Sequence, residues 1–418
     1  MESIRQTKCH VPLTGNSSLS YFEIEIAMFA GGMKMNRLAE LLKSALSPGH
    51  KAEIASRSRR TQIRRLIVLK NNACYDAFLR TMKSVGLSPD KKIKSHKAVI
   101  CHFNPTTDWQ SLSKHALVRR IEVDRKLTLH VLPGERTGAA DSACASVNKS
   151  QVIPWGINRI RAPRYWERAA YGRNVKVAVI DTGVSPHPDL NISGSFNAID
   201  NGRSARDDNG HGTHVAGTLA GLNNKFGVIG AAPGIRLYAV KAFDSTGTGF
   251  VSDIIESIDW CVRNRMHVIN MSFGMAEGSA TLLESIRRAH NRGIVLVASC
   301  GNEGIMADHI DYPAKYSETI AVAATNRDNQ IAGFSSRGSG ITLAAPGVGI
   351  CSTIPGSKYS LLSGTSMAVP HVSGAAALLL ILHPGITPSQ LKSRLKQTAR
   401  RLSGSGTDAQ GAGLIQIT

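Results

Sequence analysis

The sequence predicts an α/β protein with a mostly parallel sheet and helices on both faces, preceded by a small α+β unit. Three observations carry this. Beyond residue 150, apolar runs such as VKVAVID, VINMSF and GIVLVAS alternate with helical stretches such as SDIIESIDWCVRN and ATLLESIRRAHNR. Continuous rather than alternating apolar strands belong to parallel sheets buried on both faces. Between residues 64 and 132 the segments are shorter and strands and helices follow a different order. A stretch without periodicity, PGERTGAADSACASVNK at 133–149, separates the two regions and reads as a linker and a plausible cleavage region.

Taken in order, residues 1–61 hold one amphipathic segment, MKMNRLAELLKSAL, followed by the basic run KAEIASRSRRTQ. They read as an N-terminal extension, an accessory helix and linker of unknown role. Residues 62–132 then give strand RRLIVLK, helix ACYDAFLRTMKSVG, strand KIKSHKAVICHF, helix TTDWQSLSKHAL, and strands RRIEVD and KLTLHVL, a sandwich of about seventy residues. Residues 150–418 form the larger α/β unit. A chain of 418 residues suits such a division into unequal domains.

Composition narrows the function classes. With 42% hydrophobic residues, 19% charged and 39 glycines, the chain is globular and rich in tight turns. The net charge of +20 is concentrated at the front: residues 1–149 carry 25 Lys and Arg against 12 Asp and Glu, the remainder 25 against 18. The basic residues are interleaved with strand and helix patterns and no nucleic-acid motif accompanies them, so no nucleic-acid partner is expected. The longest apolar run, AAALLLIL at 375–382, is too short to span a bilayer and fits a buried helix. Glu23 and Glu25 interrupt the candidate signal segment YFEIEIAMFAGGM, and the seven cysteines are odd in number with no CxxC pair. Free thiols and a cytoplasmic location are expected, with secretion the alternative.

Three segments carry chemistry. Asp181 follows the strand NVKVAVI directly, His211 stands between glycines in DDNGHGTHVAGTLAG, and Ser366 begins the apolar helix of LSGTSMAVPHVSGAAALLLIL, where Pro370 is placed in the first turn. Singly, each has an ordinary structural reading: a turn carboxylate, a packed histidine, a helix cap. Together they run Asp, His, Ser, one of the known orders for an orienting carboxylate, a base and a nucleophile. A serine hydroxyl needs an imidazole to take its proton, and the imidazole needs a carboxylate to hold its tautomer.

The blocks VAVIDTGV, NGHGTHVAGT and GTSMAVPHVSGAAAL resemble the signature blocks of the subtilisin family of serine proteases, with the likeness running from about Gln151 to Thr418. By that resemblance Asp181 orients, His211 is general base and then acid, and Ser366 attacks the scissile carbonyl. Asn302, in VLVASCGNEG, resembles the family's oxyanion asparagine, with the Ser366 N–H as second donor. His187, His214 and His371 have no counterpart role. The family adds its peptide substrate as a strand between two enzyme segments, here around Gly247 and Gly249 and around Ser272, Phe273 and Gly274. Ala298, Ser299 and Gly301 resemble the second wall of the specificity pocket. Phe273 stands where the family usually has Leu, and Ser299 and Cys300 where it has small apolar residues. The resemblance implies broad specificity with a preference for large apolar residues, and no acidic residue appears in either wall.

It further implies a calcium site in LNNKFGVIG, through Leu222, Phe226 and Val228, the Asn224 side chain, Asp189 and Gln151, and a weaker second cation site at Ala314, Tyr316 and Thr319. The 62–132 unit resembles the family's prodomain, a folding template and intramolecular inhibitor, so the chain reads as a self-processed precursor cleaved within 133–149. The implied protein is a monomeric serine endopeptidase acting on proteins and peptides, with no membrane partner. The alternative is a latent or non-catalytic peptide-binding protein on the same fold.

Overall fold

The computed structural model describes residues 35–45, 63–132, 144, 147 and 150–418. Expectations for residues 1–34, 46–62 and most of 133–149 lie outside these. The chain divides into two compact units, Met1–Ile121 and Glu122–Thr418.

In the smaller unit, helix α1 (residues 35–45) precedes β1 (Ile63–Leu69), α2 (Asn72–Ser84), β2 (Lys91–Ile93), β3 (Ala98–Phe103), α3 (Trp109–Lys114) and β4 (Val118–Val123). The sheet order is β2-β3-β1-β4. Helix α2 starts where the Asn71 side chain accepts the Cys74 N–H, satisfying one of the orphan donors of a helix start. Its buried Tyr75, Phe78 and Met82 recur at helical spacing and share a core with Ile67, Val99 and Phe103 of the sheet. Leu38, Leu42 and Ala45 of α1 join the same core, so the amphipathic segment of the N-terminal extension belongs to this unit. The single strand expected over 92–103 is a hairpin: β2 and β3 pair antiparallel, Lys91 opposite Ile100, across a turn where Lys97 takes φ 50°. The polar KSHK in the middle of that run is where the chain reverses.

The larger unit opens with β5 (Lys126–Leu129), then β6 (Lys176–Asp181), β7 (Ile192–Asn197), α4 (His211–Ala220), β8 (Arg236–Lys241), β9 (Thr248–Phe250), α5 (Val251–Arg263), β10 (Val268–Met271), β11 (Phe273–Gly274), α6 (Ala280–Asn291), β12 (Val295–Ser299), β13 (Thr319–Thr325), β14 (Leu343–Pro346), β15 (Ile350–Ile354), β16 (Lys358–Leu362) and α7 (Thr365–Leu382). Seven strands form one sheet in the order β14-β13-β12-β10-β6-β8-β7, parallel at every pairing. Helices α4 and α7 cover the face that presents Val177, Val179, Val295 and Val297. Helices α5 and α6 pack together and on β6 and β12 from the other side. Thr365 through Leu379 of α7 are all buried, as expected of a helix apolar on every side. By length and composition α7 could cross a membrane, yet 83% of it is buried inside the fold.

Two expectations are corrected here. The run KLTLHVL is not the last strand of the small sandwich: β5 lies between β9 and β11 in a three-stranded sheet of the larger unit. An alternating strand pattern does not say which sheet will accept it. The cysteines are not all free thiols, because Cys144 and Cys351 form a disulfide across 207 residues of sequence. Among the described residues Cys74, Cys101, Cys261 and Cys300 are free, and burial pushes the Cys300 thiol up to about 12, which leaves it protonated and inert.

Candidate active site

The carboxyl ends of the central strands β6, β10 and β12 meet where the strand order reverses, the usual place for a site in such a sheet. Asp181 is the last residue of β6, His211 the first of α4 and Ser366 the second of α7. Helix α4 approaches β6 closely because residue 212 is glycine. A Cβ there would stand 2.1 Å from the Gly183 carbonyl oxygen and 3.1 Å from Asp181 Cβ. His211 Nδ1 lies 2.7 Å from Asp181 Oδ1, and both side chains are buried. Asp181 Oδ1 also accepts the Thr182 N–H at 2.7 Å. With Nδ1 donating to the carboxylate, the lone pair falls on Nε2, which is buried and has no hydrogen-bond partner.

Sequence reasoning missed the residue that shapes the turn before His211. Asp207 is buried, and its carboxylate accepts from Thr182 Oγ1, from the N–H groups of Asn209, Gly210 and Thr213, and from Thr213 Oγ1. The acidic DDNG preceding the histidine was the available signal.

Asn302 is held by its oxygen. Its Oδ1 accepts the Thr365 N–H at 3.0 Å and the Thr365 hydroxyl at 2.9 Å, which leaves the buried Nδ2 without a partner. The Ser366 N–H donates to the His130 carbonyl at 3.2 Å. The Ser366 hydroxyl donates to the Ser272 carbonyl at 2.7 Å. Pro370 stands in the second turn of α7 rather than the first. Lacking an N–H, it leaves the Ser366 carbonyl without its helical donor, and the Ser272 hydroxyl supplies one at 3.0 Å.

Strand β5 fills the groove flanking these residues. Leu127 pairs with Gly249 and Thr128 with Thr248 on one side; Leu129 pairs with Phe273 and Thr128 with Gly274 on the other. A Cβ on Gly247 would lie 2.9 Å from Leu129 Cδ1. The segments expected to bracket a peptide do bracket one, and it belongs to this chain. The strand is tied down before it enters: the Glu122 carboxylate accepts from Thr281 N–H and Oγ1 and from Ser279 Oγ, and Asp124 from Ser252 N–H and Oγ. Each serves a helix start, α6 and α5 respectively, where negative charge is favoured. Beyond His130, a cavity of about 300 Å³ is lined by Val131, His211, Ile354 and Leu362 among others.

The His130 side chain turns into the pocket formed after β11 and β12. Its Nδ1 is 2.7 Å from Ser299 Oγ and its Nε2 2.9 Å from Asp311 Oδ2, with Asp311 only 6% exposed. Ala298 is buried in β12 beside Ser299, and Gly301, at φ 115°, turns the chain away from it. The expectation of a pocket without an acidic residue is therefore corrected. Asp311 lies nine positions beyond Asn302 in an aperiodic segment, and only the folded loop brings it to Ser299.

The loop after α4 gathers oxygen atoms. Gln151 Nε2 lies 2.6 Å from the Leu222 carbonyl, 3.1 Å from that of Phe226 and 3.3 Å from Asn224 Oδ1. Asp189 sits beside them, accepting from Asn224 Nδ2 and from the Val228 N–H, and burial pushes its carboxyl up to about 7. Rotating the Gln151 amide would turn its oxygen toward the same point, so hard oxygen donors and a desolvated carboxylate suit a calcium ion. At Ala314, Tyr316 and Thr319 the arrangement differs. The Lys392 ammonium donates to the Thr319 carbonyl at 2.7 Å, and the Tyr316 carbonyl accepts the Thr319 N–H. His187, His214 and His371 bond backbone carbonyls of Lys358, Ile350 and Met367 and hold the fold.

Residues 172–413 match the Subtilase family. The chain is 48% identical over 266 residues to Subtilisin Savinase of Lederbergia lenta, covering 64% of this chain and 97% of that protein. It is 49% identical over 272 residues to Subtilisin E of Bacillus subtilis (strain 168), covering 64% and 71%. An Alkaline protease of Alkalihalobacillus alcalophilus is 48% identical over 266 residues, covering 64% and 69%.

Proposed function

The chain belongs to the subtilase family and is a serine-type endopeptidase; from that premise we propose that Asp181, His211 and Ser366 carry the reaction. The observation that supports this most is a pair of buried polar atoms left without partners, together with a Ser366 N–H that already meets a peptide carbonyl of the chain. His211 Nε2 and Asn302 Nδ2 are buried without partners, while the Ser366 N–H points at the His130 carbonyl oxygen. Ser366 Oγ leaves the Ser272 carbonyl, passes its proton to His211 Nε2 and attacks the scissile carbon. The Ser366 N–H and Asn302 Nδ2 take up the negative charge on the oxygen. His211 then gives the proton to the departing amine, and a water repeats the sequence on the acyl-enzyme. A fluorophosphonate should label wild type at Ser366, and wild type alone should degrade a denatured protein beside Ser366→Ala. Equal degradation by both would overturn the assignment.

Self-processing would use the same residues, and the Ser366 N–H on the His130 carbonyl supports His130–Val131 as the bond cut, upstream of the 133–149 stretch expected from composition. Until cleavage, and while the tail stays seated, β5 blocks the groove, and Glu122 and Asp124 strengthen its hold. The Ser366 hydroxyl resting on Ser272 favours a latent precursor as the second reading. Calcium at Gln151, Asp189, Leu222, Asn224, Phe226 and Val228 would supply positive charge that links the segment after the linker to the loop after α4. We take the active species to be a monomer. The Cys144–Cys351 disulfide supports export to an oxidising compartment over the cytoplasm.

A further inference from the structure

We propose that Asp311 makes this protease select a basic residue immediately before the bond it cuts. The inference rests on the catalytic reading above. The residue whose carbonyl meets the Ser366 N–H is His130, so the pocket that holds the His130 side chain is the pocket for that residue. Within it the imidazole is 4% exposed and Asp311 8% by side chain, with ring nitrogens on Asp311 Oδ2 at 2.9 Å and Ser299 Oγ at 2.7 Å. Glu303 stands at the same place: its carboxylate, the His130 ring and the Asp311 carboxylate bring ligand atoms within 4.8 Å of one another.

The pocket is shaped around this pair. Residue 274 is glycine, and a Cβ there would fall 2.4 Å from His130 Cε1 and 2.6 Å from Asp311 Cβ, so any side chain would close the way in. A carboxylate so buried is tolerated when donors meet it. Among the described residues, His130 is the side chain bonded to the Asp311 carboxylate. Once the tail departs, that partner is lost and the incoming substrate must replace it. A lysine or arginine side chain entering past Gly274 can bring its cationic head to Asp311. A leucine or phenylalanine would exclude water from the carboxylate and give it no donor, and sites that bury a polar group reject ligands unable to satisfy it.

The test uses the processed enzyme and peptides built on its own tail, Leu-Thr-Leu-X-Val-Leu-Pro, with X as Arg, Lys, His, Leu or Phe. The expected result is kcat/KM for Arg and Lys exceeding that for Leu and Phe by roughly 10²-fold, and an Arg-to-Leu ratio that collapses by about as much in Asp311→Asn. Fluorophosphonate labelling of Ser366 reports whether each variant is folded. Leu or Phe cleaved as well as Arg by labelled wild type overturns the proposal, as does an unchanged ratio in labelled Asp311→Asn. If Asp311→Asn is not labelled, the wild-type ratio decides alone. No cleavage of any peptide together with no labelling of wild type overturns the catalytic reading itself, and this inference with it.

Discussion

Breaking the Cys144–Cys351 bond should cost the larger unit a substantial part of its stability. The bond closes a loop of 207 residues, and the loop-closure entropy removed from the unfolded chain by such a link is worth about 5 kcal/mol. The folded state should lose little, because among the described residues Cys144 and Val147 join a small apolar cluster with Val228, Cys351, Tyr359 and Leu361. Measured disulfides return less than the entropic figure, so Cys144→Ser should lower stability by about 2–5 kcal/mol, which is roughly 10 °C in melting temperature for a domain of this size. The assay is thermal unfolding in the Ser366→Ala background, which prevents self-digestion, compared with the same protein under reductant. Reduced parent and unreduced Cys144→Ser should melt together. A melting temperature unchanged by the substitution, or free thiols at both positions in unreduced protein, would refute the reasoning.

Other perturbations have equally defined outcomes. Ser272→Ala should strand the Ser366 carbonyl and cost about 1–3 kcal/mol; in Pro370→Ala, where the helix recovers its own donor, the same change should cost less, as a double-mutant cycle by urea denaturation will show. His371 is buried and neutral, with its pKa lowered to about 4 by desolvation against about 6.5 unfolded. Its folded-state pKa is the lower one, so stability is fully present above about pH 6.5 and falls as pH drops toward 4, by at most about 3 kcal/mol; His371→Gln should flatten that part of the profile. Chelation should lower the melting temperature of wild type, since a ligand at a hundred times its Kd stabilises by about 2.7 kcal/mol, while Asp189→Asn should melt low and respond little to calcium.

Much of the site was legible because its parts are marked locally. Asp181 ends an apolar strand, His211 sits between glycines at a helix start, and Ser366 opens a helix apolar on every side; in each case the residues that permit the backbone path are its sequence neighbours. Asn302 is marked in the same way by the strand before it. What escaped notice depends on contacts between distant segments. Asp311 reaches Ser299 only through the fold of an aperiodic loop, and Cys144 meets Cys351 across most of a domain. The partner of a strand is also illegible from its own alternation, which is why residues 126–129 read as part of the small sandwich and instead pair with Thr248–Phe250 and Phe273–Gly274. Burial of Leu38 and Leu42 in the core of the smaller unit was hidden by the polar run that separates them from it in sequence.

Catalysis by Ser366 is tested most directly by the intact mass and amino-terminal sequence of purified wild type beside Ser366→Ala, each incubated with calcium. Only wild type should shorten, and its new amino terminus should be Val131. Processing of both proteins alike would contradict catalysis by Ser366, as would two proteins that stay full length while wild type fails to cut a denatured substrate.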